Sequence, residues 1–332
     1  MKTPMRKSLL GLAVAAAVGT LPQQAALAAK IAVKGMALAE LVSVDANTIN
    51  ETQQGDNNGR SRWWIDASEN LGNGMKAFAR FSFQLDPSDG ADEKNRDQYV
   101  GIGGGFGAII LGRLPTPYKM FGGVKWDPYA ATFLQARRNG GMSGDATGHN
   151  GFVNDVLAYA TPKGLGGFKA TLAYVADEND ASGVGNGTWT AGASWKGGPI
   201  EIIGAATHLD AANGDQVKVG VRYQSGGITA FVQYEDVDVG GSIRPNGNDL
   251  GTLAQGRFLL AGAGYRFGNN LLHANIGGFN ADGGGNDVDY LAIGLTHFFS
   301  KTARVYAGYT NVDFKNVDDV DMIGAGLRFD FK

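Results

Sequence analysis

Gln216-Val217-Lys218-Val219-Gly220-Val221-Arg222-Tyr223-Gln224 is the stretch that decides the fold. Val217, Val219, Val221 and Tyr223 fall on one side of an extended chain, and Lys218, Gly220, Arg222 and Gln224 on the other. Side chains alternate across a strand, so this period of two predicts a β-strand with one apolar and one polar face. The pattern recurs along the chain. In Met75–Asp86 the set Met75, Ala77, Ala79, Phe81, Phe83 and Leu85 opposes Lys76, Arg80, Ser82, Gln84 and Asp86. In Val320–Phe331, Ile323, Ala325, Leu327, Phe329 and Phe331 oppose Arg328 and Asp330.

Sixteen such segments are readable, starting near Lys30, Ser61, Met75, Arg96, Gly107, Val153, Gly167, Gly187, Ile200, Gln216, Ile228, Arg257, Leu271, Asp287, Thr302 and Val320. Most have the roughly ten residues that a tilted strand needs to cross a bilayer. Their connections alternate in length. Short ones are Leu71–Gly74, Gly104–Phe106, Lys163–Gly166, Lys196–Pro199, Ser225–Gly227, Gly268–Asn270 and Ser300–Lys301. Long polar ones lie between them, including Asp45–Arg60, Pro87–Asn95, Gly240–Gly256 and Ala281–Asn286, and the longest is Pro115–Phe152. Short turns on one side and long loops on the other are the signature of a transmembrane barrel. An even strand number lets an antiparallel sheet close and leaves no unpaired edge in lipid. The expected fold is therefore all-β: a sixteen-stranded antiparallel transmembrane β-barrel, wide enough for an aqueous channel, with the longest loop folded into the pore.

Composition agrees. Gly makes up 52 of 332 residues, without the Gly-X-Y period of collagen, and fits a chain of many turns. There is no cysteine, which removes disulfides, thiol chemistry and Cys-based zinc sites. Lys2, Arg6 and Lys7, the apolar run Ser8–Gly19 and Ala26-Leu27-Ala28 have the order of a secretory leader, so residues 1–28 are expected to be removed and 29–332 to form the barrel. Taking those three bases from the 29 Lys and Arg leaves 26 against 32 acidic residues, a formal −6, with no basic footprint for nucleic acid.

Four stretches resemble the Gram-negative general porin family. They are Ser61-Arg62 with Ser68–Ala77; Gln98–Ile102 through Leu111-Gly112-Arg113; Asn154–Tyr159 with Pro162 and Gly166-Gly167-Phe168; and Ser300-Lys301-Thr302, Tyr306 and Tyr309 with Gly326–Phe331. They span the region after the leader in the family's order. The resemblance implies a homotrimer in the outer membrane, in contact with its lipid and lipopolysaccharide, with one diffusion pore per subunit for small hydrophilic solutes and ions. It also implies that Gly326, Phe329 and Phe331 form the signal read by the barrel-assembly machinery, although Lys332 follows the terminal aromatic here.

A pore of this kind needs a wet path, a constriction and a field across it. Arg62 and Arg80 have lumen parity, and an arginine on the lipid face at midplane would cost about 2–4 kcal/mol. Arg96 follows on the next strand, although Val100 and Ile102 share its parity. The resemblance places Arg62 and Arg96 in a basic cluster opposite loop carboxylates, for which Asp127 and Asp145 are available. Arg137 and Arg138, with Lys119 and Lys125, make the loop basic on balance, and we expect a mild anion preference. Glu235, Asp236 and Asp238, read as rim acids, argue the other way. Arg113 has apolar-face parity, and by resemblance it meets Asp92 or Glu93 of a neighbouring subunit.

The four histidines have no metal spacing, there is no G-x-S-x-G, and no catalytic set, metal or cofactor is expected. A substrate-specific channel for phosphate or a sugar is an alternative, as is a barrel acting as an adhesin or outer-membrane enzyme.

Overall fold

The computed structural model describes residues 29–46, 49–55, 61–87, 94–144, 152–176, 187–210, 213–238, 255–283, 287–315 and 317–332. The expected leader, 1–28, lies outside the described residues, as do Asp92, Glu93 and Asp145.

Among the described residues, seventeen strand segments build the wall. They are β1 Lys30–Ala46, β2 Ile49–Gly55, β3 Arg62–Gly72, β4 Met75–Gln84, β5 Lys94–Gly104, β6 Gly107–Leu114, β7 Val153–Ala160, β8 Phe168–Val175 and β9 Trp189–Gly197. Then come β10 Ile200–Leu209, β11 Gly214–Ser225, β12 Ile228–Val237, β13 Gly256–Phe267, β14 Asn270–Ala281, β15 Val288–Phe298, β16 Ala303–Phe314 and β17 Val317–Phe331. From β3 onward each is antiparallel to the next, and β1 pairs with β17, from Gly35 against Phe331 to Asp45 against Asp321. β2 and β3 both pair with β1, end to end, and so make one stave. The result is a closed barrel of sixteen antiparallel staves.

β2 is a departure from the sequence reading, which put Asp45–Arg60 in a loop. Ile49-Asn50-Glu51-Thr52-Gln53-Gln54-Gly55 has no apolar alternation, but its backbone completes the ladder against Glu40–Ala46. Where the stave is interrupted, buried Ser61 closes the gap. Its Oγ accepts from Leu38 N at 2.9 Å and donates to Leu38 O at 3.1 Å.

The tight turns follow their chemistry. Asn73 and Gly74, at φ 50° and 74°, join β3 to β4, and two residues with positive φ are what a type I′ hairpin requires. Gly226 and Gly227 repeat this between β11 and β12.

Parity sets the two surfaces. Val217 and Val219 stand outside at 50% and 54% exposure, whereas Gln216 and Lys218 are each 1% exposed inside. The lumen face of that wall is thus covered rather than water-lined. The cover is the chain after β6, which makes one helical turn at Pro117–Met120, capped by Thr116 Oγ1 accepting from Lys119 N, and then crosses the lumen. Its Trp126, Tyr129, Phe133, Leu134 and Met142 form one apolar core with Leu38, Phe231, Leu260, Phe279 and Tyr290 of the wall. The main core of this barrel therefore lies inside it, between loop and wall.

Candidate functional site

The loop is fixed to one half of the barrel by hydrogen bonds to buried polar groups. Glu235 of β12 accepts from Tyr118 Oη at 2.9 Å, from Ser143 N at 3.3 Å, from Ser143 Oγ and from Gln233 Nε2 at 2.8 Å. Lys218 of β11 donates to Tyr118 O, and its ammonium lies 4.3 Å from the Tyr118 ring centre. Glu40 of β1 accepts from Phe133 N at 2.9 Å and from Tyr306 Oη at 2.7 Å. Tyr290 Oη donates to Leu134 O, and Tyr129 Oη to the carbonyls of His273 and Gly294. Burial, with Glu235 next to it, pushes the Tyr118 hydroxyl pKa well above its ordinary value. Each partner matters because a buried polar group left without one costs about 1–3 kcal/mol.

Asp127 belongs to this anchoring set. Its Oδ1 accepts from Tyr129 N at 2.9 Å and Asn275 Nδ2 at 3.0 Å, and its Oδ2 from Ala136 N at 2.9 Å. Burial raises its pKa to about 6 despite these donors. The expectation that it faces the arginines is therefore corrected. It is spent on closing its own loop against β14, on the opposite side of the barrel from β3–β5. Glu235 is likewise no rim charge, because the loop covers it at 1% exposure.

With the loop against β9–β16 and β1, the open lumen is the gap beside β3–β8, which extends under the loop to the turn ends of β9–β11. Two adjoining cavities lie in it. One, of about 460 Å³, is bounded by Arg80, Asp97, Lys125, Trp126, Lys169, Glu201 and Arg222. The other, of about 290 Å³, is bounded by Arg62, Trp64, Arg80, Arg96, Asp97, Lys119, Lys125 and Phe152. Among the described residues they present seven cationic side chains and two carboxylates, an excess of five positive charges.

Arg62 and Arg80 are in the lumen, as parity requires. Arg80 holds Asp66 through Nε at 2.7 Å and Nη2 at 3.1 Å, and reaches Asp97 at 3.6 Å. Lys34 also binds Asp66, at 3.1 Å. Arg96 joins them because the β4–β5 register shifts between Phe81 and Phe83. Arg96 and Asp97 together oppose Ser82, and this bulge lets both line the gap. Arg96 Nη1 donates to Gln84 Oε1 at 3.2 Å. Arg137 is buried in the loop, near enough to Arg96 for their charges to repel, while Arg138 is half-buried and lines neither cavity. Lys125 is wet but enclosed, and that enclosure, then Arg62, lowers its pKa.

Arg113 stands at a second bulge, where Asn154 and Asp155 oppose it. Its Nη1 donates to Asn154 Oδ1, and its guanidinium lies 5.7 Å from the Phe152 ring. Gly326, Phe329 and Phe331 lie on the closing strand, with both rings on the outer face at 49% and 36% exposure. The Phe331 ring covers Gly35 so closely that a Cβ there would meet it at 2.1 Å.

Sequence reasoning did not single out Asp97, Glu201, Arg222, Trp64 or Phe152. Arg222 carried the lumen parity that would have found it, but Phe152 had no such signal.

The model of the Gram-negative porin family matches residues 11–317. Outer membrane porin protein 32 of Delftia acidovorans is 28% identical over 285 residues, covering 75% of this chain and 76% of that protein. Among solved structures, the anion-selective porin from Comamonas acidovorans superposes with a TM-score of 0.74 at 18% identity, over 91% of this chain and 100% of that one. The trimer form of OmpT, an outer membrane protein of Vibrio cholerae, does so at 0.67 and 17% identity, over 92% and 100%.

Proposed function

The chain belongs to the Gram-negative porin family, an outer-membrane diffusion channel, and from that premise we propose that its pore favours anions. The carrying observation is the charge around the gap beside the loop. Among the described residues, seven cations and two carboxylates surround it, and five of those cations (Arg62, Arg80, Arg96, Lys119 and Lys125) border the smaller cavity together. In a narrow lumen with low-dielectric walls, such an excess concentrates ions of the opposite sign. The formal −6 of the chain after the leader does not oppose this, because selectivity is set where the path is narrowest. The name of the Comamonas porin states the same preference for that protein and supports the reading here.

Asp66 and Asp97 are held by Arg80 on the arginine wall and Glu201 by Arg222, so these carboxylates trim the positive potential of the gap without reversing it. We take the working assembly to be a homotrimer, on the example of the trimeric OmpT. A contact from Arg113 to Asp92 or Glu93 of a neighbouring copy is part of that proposal, in competition with the bond to Asn154. Removal of 1–28, a terminal assembly signal at Gly326, Phe329 and Phe331, contact with lipopolysaccharide and the absence of any catalytic role are proposed on the sequence arguments above.

Swelling of liposomes carrying the protein, in a series of neutral and charged solutes of equal size, tests the reading. Faster passage of the anionic member supports it, and faster passage of the cationic member overturns it.

A further inference from the structure

The smaller cavity is not merely a basic constriction. Aromatic and apolar side chains are interleaved with its cations. The Phe152 ring is faced by Arg96 at 4.7 Å, Lys119 at 4.9 Å and Arg113 at 5.7 Å, and Arg80 lies 5.5 Å from the Trp64 ring. Met120 and Val124 complete an apolar side. Among the described residues, the Trp64 indole nitrogen and Arg96 Nε are buried donors with no hydrogen-bond partner.

We propose that this chamber is a retention site for single-ring aromatic carboxylates on their way through the pore. The inference rests on the anion-favouring reading above and narrows it to a class of solute. A carboxylate supplies acceptors for the arginine and indole donors. An aromatic ring supplies a face for guanidinium stacking and an edge for Phe152. A hydrated inorganic anion leaves the apolar side unused. A neutral sugar leaves the cations without a counter-charge. The volume of about 290 Å³ lies just below the roughly 300–1,000 Å³ typical of small-molecule sites, which suits one ring and excludes an oligosaccharide. Asp97 opposes a carboxylate, but Arg80 stands 3.6 Å from it and partly cancels its charge. The chamber shares Arg80, Asp97, Pro115, Met120 and Lys125 with the larger cavity, so a retained solute sits beside the path and leaves along it.

The test uses the full protein after leader removal, in planar bilayers bathed in KCl, with benzoate, acetate and benzamide as probes. Benzoate is expected to reduce the open-channel current saturably, with a half-effect at a concentration about tenfold below that of acetate, while benzamide has no such effect. Phe152→Leu and Trp64→Leu, each shown to be folded by its channel openings, are expected to bring benzoate to within about threefold of acetate. Equal effects of benzoate and acetate on the unaltered protein overturn the proposal, as does an effect of benzamide equal to that of benzoate. The zero-current potential is recorded on the same membranes. If it reports cations, the anion-favouring reading fails and the retention site with it. If it reports anions while benzoate behaves as acetate, only the retention site fails.

Discussion

Replacing Glu235 with alanine should release the Tyr118–Ser143 portion of the loop from the wall. Donors of Tyr118, Ser143 and Gln233 converge on this carboxylate, and it is 1% exposed, so water does not replace it while the loop stays down. The two hydroxyl donors have freedom to turn. Tyr118 Oη already lies 3.3 Å from Val217 O, and the Ser143 hydroxyl rotates. Ser143 N and Gln233 Nε2 lose a fixed acceptor, and at about 1–3 kcal/mol for each buried group the docked loop loses roughly 3 kcal/mol. Because about 1.4 kcal/mol is a factor of ten, the undocked population rises on the order of 10²-fold. Glu235→Gln keeps one acceptor oxygen and should fall between. Two assays report the change. Single-channel records of Glu235→Ala should show frequent substates where the unaltered protein is quiet. Trypsin should cut after Arg137 or Arg138 faster by a comparable factor. Quiet currents together with unchanged trypsin resistance in Glu235→Ala would refute the argument that this carboxylate holds the loop.

Three further outcomes follow from the same geometry. Asp127 is protonated more readily in the docked loop, with a pKa of about 6 against 3.8, a difference of roughly 3 kcal/mol. Its contribution to docking is fully present below 3.8 and is lost as pH rises through about 6, so loop substates should be rarer at pH 5 than at pH 7.5, a difference that Asp127→Asn should remove. Gly35→Val puts a side chain into the Phe331 ring at the closing seam, where a Cβ meets Cζ at 2.1 Å, and should lower the yield of the heat-resistant folded form seen on gels. Ser61→Ala leaves Leu38 N and O without their bridging partner inside the wall, and should reduce denaturant stability by about 1–3 kcal/mol.

The barrel was legible because a membrane wall imposes a period of two over its whole length. Lys30, Met75, Gly107, Val153, Ile200 and Ile228 begin strands where alternation begins. Ile49–Gly55 was not legible, since a polar strand carries no hydrophobic period. Lumen residues were readable where parity held, at Arg62 and Arg80, and uncertain at Arg96, because the bulge opposite Ser82 changes parity without a sequence mark. Asp127 was misassigned for a different reason. A carboxylate in a long loop looks free in sequence, and its partner Asn275 is 148 residues away. Glu235 stands in sequence beside the acids Asp236 and Asp238, yet its parity with Gln233 points it inward, where the loop lies.

The central claim is that ions pass through the gap beside the anchored loop and are selected there by its arginines. The zero-current potential across a tenfold KCl gradient, for the unaltered protein and for a variant with Arg62, Arg80 and Arg96 all changed to Gln, tests it most directly. The account predicts a chloride-favouring potential in the first and a clear move toward potassium in the second. A potassium-favouring potential in the unaltered protein, or the same potential in both, would contradict it.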